Sequence, residues 1–158
     1  MNTSELLAQH YYETFFGGNW SEIDYINVLK DVSFTEAVSI TPASPNNIAV
    51  LVYHVNFYNK RIIERLKHKS GKANSSNGYD MPELKTEAEW NELKTEFFTT
   101  VNEVVISIKN CEETLWSEKV KESPYTYYKT IVGVTEHAYY HLGQIVILKN
   151  TLRNNVHL

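Results

Sequence analysis

One cysteine, four prolines and no uninterrupted apolar run of membrane length are the first things this 158-residue chain is short of. A lone thiol, Cys111, cannot build an internal disulfide framework, which suits a reducing compartment. Cys111 itself reads as a small buried or half-buried apolar residue rather than a reactive thiol. The start of the chain, MNTSELLAQHYYE, has no basic stretch leading into an apolar one, so no secretory signal is expected. The sequons at Asn2, Asn19 and Asn74 are then without meaning, and a cytoplasmic location is the expectation. The most apolar stretch, Ile131 to Leu148, is interrupted by Glu136, His137, His141 and Gln144, whereas a membrane span needs about 20 apolar residues. A basic surplus is missing too: 15 Lys and Arg stand against 19 Asp and Glu, a net charge of -4. Beyond Lys67, Lys69 and Lys72 there is no basic stripe, so nothing draws the chain to a phosphate backbone and nucleic-acid binding is not expected.

What is present fits one domain over residues 1–158, since a 42% hydrophobic share is ordinary for a chain of this size with a proper core. Leu6, Leu7, His10, Tyr11, Thr14 and Phe15 recur at helical spacing and predict a helix from Thr3 to Phe16, stopped by Gly17-Gly18. Ser21 to Lys30 reads as a short helix within a crossover. Ser44 before Pro45 reads as a helix start, and the apolar pattern of a second long helix runs from Ile48 to about Leu66. Ser70 to Asp80 is a Gly-, Ser- and Asn-rich loop. Thr86 with Glu89 forms a capping box ahead of Trp90, Leu93, Phe97, Val101, Val104 and Ile108, a third helix reaching about Asn110. A fourth follows Pro124 and runs to about Leu152, with Gly133 and Gly143 as weak points of about 1 kcal/mol each. No alternating β pattern remains, so the class is all-α. The third-to-fourth link reads as short, while the earlier connections are long enough to cross the length of a helix, which permits two crossovers.

The chemistry lies in the histidines. His137 and His141, four apart in TEHAYYHLGQI, share one helix face about one turn apart, and that face also carries Thr130, Val134, Gln144, Ile145 and Leu148. Two imidazoles hold a metal weakly, so a third ligand is sought on another helix. Apart from this pair, His54 is the histidine inside a long apolar helix, in VLVYHVNFYNK, and it lies near that helix's midpoint as the pair lies near theirs. Its direction is about 120° from the centre of the stripe of Ile48, Leu51, Val55, Ile62 and Leu66. Spacing therefore leaves two readings open, a ligand at the mouth of the bundle or a hydrogen-bonded histidine at an interface. His10, His68 and His157 read as helix surface, loop and tail.

The chain resembles the DinB/YfiT-like superfamily of metal-dependent proteins along nearly its whole length. The resemblance rests on the Gly18 to Trp20 turn, LKDVSFTEA at Leu29 to Ala37, the His54 helix, Trp90 in EAEWNEL and, most specifically, EHAYYHLGQI. It implies a four-helix bundle with up-down-down-up connectivity and a divalent metal, commonly nickel or zinc, on His54, His137 and His141. It further implies either thiol-dependent S-transferase or isomerase chemistry with a low-molecular-weight thiol, or metal-dependent hydrolysis, on a small molecule.

Three neutral imidazoles leave the ion its 2+ charge and an open side, where water or a thiol becomes a nucleophile at neutral pH. Gln144 on the metal face and Tyr58 one turn past His54 are the candidates for touching a bound ligand, and they read equally well as a helix-surface amide and a packing residue. Arg61 reads as an exposed ion pair or an anion contact. Glu136 faces away from the histidines, so the glutamate-assisted arrangement of HExxH metalloproteases is not expected. The alternative from another class is a non-catalytic metal- or small-molecule-binding stress-response module. Val132, Tyr139 and Ile147, apolar and off the metal face, suggest a helix surface covered in a homodimer.

Overall fold

The computed structural model describes residues 1–68 and 75–154; His157 and the first part of the 70–80 loop lie outside the described residues. The described chain is mostly helical and has no strand. Its elements are α1 (Thr3–Phe16), α2 (Tyr25–Leu29), α3 (Phe34–Val38), α4 (Ile48–Leu66), α5 (Glu87–Lys109), a 3-10 turn (Glu113–Ser117) and α6 (Tyr127–Asn154). No helix among these residues is long and apolar enough to cross a membrane.

Local signals explain most of the boundaries. Asn2 caps α1 by accepting from the Glu5 N–H while Glu5 reaches back to the Asn2 N–H, and Thr86 and Glu89 do the same for α5. Three boundaries depart from the sequence reading. The Ser44-Pro45 pair does not start α4: Thr41 to Ser44 closes a turn, and Asn47 is the cap, accepting from the Val50 N–H. The helix expected over Ser21 to Lys30 is shorter, because Asp24 caps it at Tyr25. α3 was not foreseen, although Ser33 and Glu36 form their own capping box.

The packing of the long helices follows from named contacts. α1 runs antiparallel to α5, since Ser4 Oγ donates to the Cys111 carbonyl at 2.9 Å while Phe15 meets Phe97 at 5.7 Å between ring centroids. α4 lies beside α5 and runs the same way: Tyr53 shares a cleft with Glu89 and Leu93, Lys60 pairs with Glu96, and Leu66 shares a cleft with Ser107 and Asn110. α4 is antiparallel to α6, with His54 against His141 and, further along, Tyr127 Oη donating to the Arg65 carbonyl. The link between α5 and α6 is longer than expected, holding the 3-10 turn and a Lys119–Thr126 bridge, and the antiparallel neighbour of α6 is α4 rather than α5.

The interior is held by aromatics whose polar ends are all spoken for. Tyr11, Phe15, Tyr25 and Phe97 are fully buried and pack ring to ring at 4.9–5.7 Å. Each buried side chain of this size contributes about 1.5–3 kcal/mol by leaving water. Tyr11 Oη donates to Asn59 Oδ1 and Tyr25 Oη to the Ala138 carbonyl, both at 2.7 Å, and burial holds both phenols well above their usual pKa so they remain donors. Trp90 is fully buried with its indole N–H on the Val32 carbonyl at 2.9 Å, which ties the crossover to α5. The Tyr25 bond matters for the site, because Ala138 follows His137 directly. Val132 and Tyr139, expected on an open face, are half-buried against the chain's own core, and of the three only Ile147 is exposed.

Candidate metal centre

α4 supplies His54 and α6 supplies His137 and His141, and the antiparallel contact of the two helices brings the three rings together. His54 Nε2 and His141 Nε2 each lie 3.0 Å from His137 Nε2. Among the described residues this trio is the cluster of metal-ligand type, its ligand atoms within 4.8 Å of one another. His54 is buried rather than at the rim the sequence angle suggested, with 2% of its surface exposed. The reason is that α4 packs on both α5 and α6, so the apolar stripe and the His54 direction can both be inward.

The far nitrogens decide what the near ones can do. His54 Nδ1 donates to the Asn77 carbonyl at 2.9 Å, and His141 Nδ1 donates to Gln144 Oε1 at 2.6 Å. A carbonyl oxygen only accepts, so both rings carry their proton on Nδ1 and turn a lone pair on Nε2 toward the common centre. Metal-binding histidines are held in this way by an oxygen on the far side of the ring. Gln144 is in turn oriented by its Nε2 donating to Tyr140 Oη at 3.1 Å. His137 Nδ1 is buried without a hydrogen-bond partner. The residues present therefore fit a divalent ion: three nitrogen donors, two of them fixed in the ligating tautomer, and no carboxylate in the cluster.

A turn that periodicity could not reveal builds one wall. Ser76 to Tyr79 closes on a 3.0 Å bond from the Tyr79 N–H to the Ser76 carbonyl, with Asn77 at φ +53° and Gly78 at φ +75°. Asn-Gly is the residue pair that accepts two successive positive φ angles. The turn presents the Asn77 carbonyl to His54 and lays the Tyr79 ring on the His54 ring, centroids 4.1 Å apart and planes 20° apart. Tyr58 stands edge-on to His137 at 4.6 Å and gives its hydroxyl proton to Asn77 Oδ1. Of the sequence candidates, Gln144 and Tyr58 thus both border the trio. Arg61 does not: it pairs with Glu64 at 2.9 Å and lies over Phe57. Asn77, Tyr79 and Tyr140 were missed, and only the Asn-Gly pair carried a signal.

Burial lowers the histidine pKa values, to about 4 for His54 and His137 and downward for His141, with the neighbouring histidines adding to the effect at His54 and His137. The rings are neutral, as ligation requires. In the unfolded chain they take up protons near about 6.5. Between about 6.5 and about 4 the unfolded state then binds more protons than the folded one, so the metal-free protein loses stability as pH falls through that window. Urea midpoints of metal-free protein should drop from pH 7 to pH 5; a flat profile would contradict the burial of the trio.

Two clefts reach the histidines from different sides. One of about 480 Å³ touches His141 and is bordered by Ser44, Asn46, Tyr79, Tyr140 and Gln144. The other, about 290 Å³, touches His137 and is bordered by Tyr58, Ile62, Arg65, Lys129 and Val134. A third cleft, beside Cys111 and His68, shares no residue with the trio. Cys111 is half-buried, donates to the Ser107 carbonyl and has its pKa raised by burial, in keeping with an unreactive thiol. Comparison of the chain with models of protein families, with curated proteins and with solved structures finds no match in any of the three.

Proposed function

We propose that this chain is a metal-dependent enzyme of the DinB/YfiT-like kind, an up-down-down-up four-helix bundle with one divalent ion, nickel or zinc, on His54, His137 and His141. The observation that carries the metal is the convergence of three Nε2 atoms with the Nδ1 protons of His54 and His141 engaged by Asn77 and Gln144. The helix directions support the connectivity, with α1 and α6 running one way and α4 and α5 the other.

A divalent ion held by three neutral imidazoles keeps its full charge and lowers the pKa of a water or thiol on its open side, to about 7 for water. Around it the chain's own residues do the positioning. Asn77 and Gln144 hold two of the rings, Tyr79 covers His54, and Tyr58 stands at the edge of the cleft below His137. The reaction we assign is transfer of a low-molecular-weight thiol to an electrophilic small molecule, with hydrolysis of a small molecule as the other chemistry open to the same site, in a cytoplasmic homodimer.

The test is metal analysis combined with an activity screen. Purified protein should carry close to one nickel or zinc per chain and conjugate monochlorobimane with a cysteine-based thiol in a metal-dependent way. Ester or amide turnover with no response to any thiol would assign the hydrolase. Tight metal or ligand binding without turnover of either kind would make the chain a binding module.

A further inference from the structure

The cleft that opens on His137 is bordered by a cation with no ion pair among the described residues. Arg65 lies on α4, eleven residues beyond His54 and so about 16 Å along the axis. It is one of the residues lining the cleft, with Tyr58, Ile62 and Val134. The neighbouring arginine is neutralised, since Arg61 pairs with Glu64. Arg65 has no ion pair or side-chain hydrogen bond among the described residues, its Nε is buried without a partner, and residues 69–74, KSGKAN, contain no acid. Burial also weighs against its charge, pulling its pKa below the ordinary guanidinium value. A half-buried guanidinium without an anion is a cost the fold bears. Lys129, exposed and over the Tyr125 ring at 5.5 Å, stands at the same cleft.

Resting on the metal reading above, we propose that the His137-side cleft is the substrate site and that Arg65 receives a carboxylate of a small substrate whose reacting group lies at the three histidines. The walls supplied by Ile62, Val134 and the Tyr58 ring are apolar, and the one guanidinium inside matches a single carboxylate through its planar fork. At about 290 Å³ the cleft is at the small end of ligand sites, which limits the substrate to a small molecule. Lys129, at the rim, adds attraction without geometry.

The probes are ω-mercaptocarboxylates of four to six carbons, long enough to span from the trio to Arg65, and their neutral amides, titrated into protein loaded with cobalt(II), whose absorption reports thiol binding, with metal content measured on every sample. The carboxylates should bind about 10- to 100-fold more tightly than the amides, the range of a charge-assisted hydrogen bond. Arg65→Gln should remove that preference while leaving metal content and amide affinity unchanged, and Arg65→Lys should restore part of it. Equal affinity for acid and amide, or an undiminished preference in Arg65→Gln, overturns the proposal. If no cobalt binds, the metal reading fails on its own. Binding of a simple carboxylate such as 3-phenylpropionate to the metal-free protein then decides the subsite: dependence on Arg65 sustains it, and no dependence overturns it.

Discussion

His137→Ala is expected to abolish metal retention while leaving the fold intact. His137 Nε2 is the atom that both other Nε2 atoms approach, at 3.0 Å each, so its loss leaves two ligands on different helices rather than a reduced trio. The fall in affinity should exceed the about 10- to 100-fold that removal of a ligand's supporting partner costs. The cost to the apo fold is small by comparison. Its imidazole is only partly buried, and its Nδ1 is a buried polar atom without a partner, a group that disfavours folding by about 1–3 kcal/mol. Removing the ring therefore removes a penalty along with some packing on Tyr58. Elemental analysis beside a urea melt reads both quantities, and a variant that keeps its metal would take the trio out of the argument.

The second large effect is expected at a residue that touches no metal. Gly78→Ala places a Cβ 2.7 Å from Phe57 Cγ and 2.8 Å from Phe57 Cβ, at a φ of +75°. Those atoms are the root of a side chain on α4 and cannot swing aside, so the turn itself has to move. With it move the Asn77 carbonyl that fixes the His54 tautomer and the Tyr79 ring stacked on His54. The expected result is a loss of metal affinity of about 10- to 100-fold, as for other supporting partners of ligating histidines. The helices should remain, because the turn lies outside them. A competition titration with a chelator of known affinity measures the first, and far-ultraviolet circular dichroism the second. Unchanged affinity would mean that His54 does not depend on the turn.

The long helices were legible because their signals are local and redundant. α1 is found over Thr3–Phe16 as its periodicity predicts, and the Thr86–Glu89 box starts α5 where the sequence places it. The Ser44-Pro45 pair misled because a good cap residue before proline also suits a turn, and Asn47, three residues later, is the cap that the first apolar turn actually uses. His54 was misjudged in angle for a different reason. A stripe drawn through aliphatic residues gives one inward direction, whereas a helix between two neighbours has two. The pair on α6 was legible from its four-residue spacing, since one element carries both histidines.

The supporting contacts were less visible. Asn77 acts through its backbone carbonyl, an atom every residue possesses, and its value comes from the turn that aims it. Arg65 and Arg61 are indistinguishable by type. What separates them is that Glu64 pairs with Arg61 while Arg65 has no ion pair among the described residues, and that is a matter of side-chain placement.

The placement of one histidine of the trio on α4 and two on α6 has a topological consequence. An ion shared by His54 and His137 is a crosslink between positions 83 residues apart, closing a loop that contains all of α5. Like a disulfide of the same span, it removes from any partly opened chain the states in which α4 and α6 have separated, and the entropy it withholds grows with the logarithm of the loop. An ion bound there would stabilise only conformations with both helices in place, by an amount that rises with the logarithm of its free concentration above the dissociation constant. If the trio holds an ion, metal supply is expected to set how often the core between α4 and α6 is exposed.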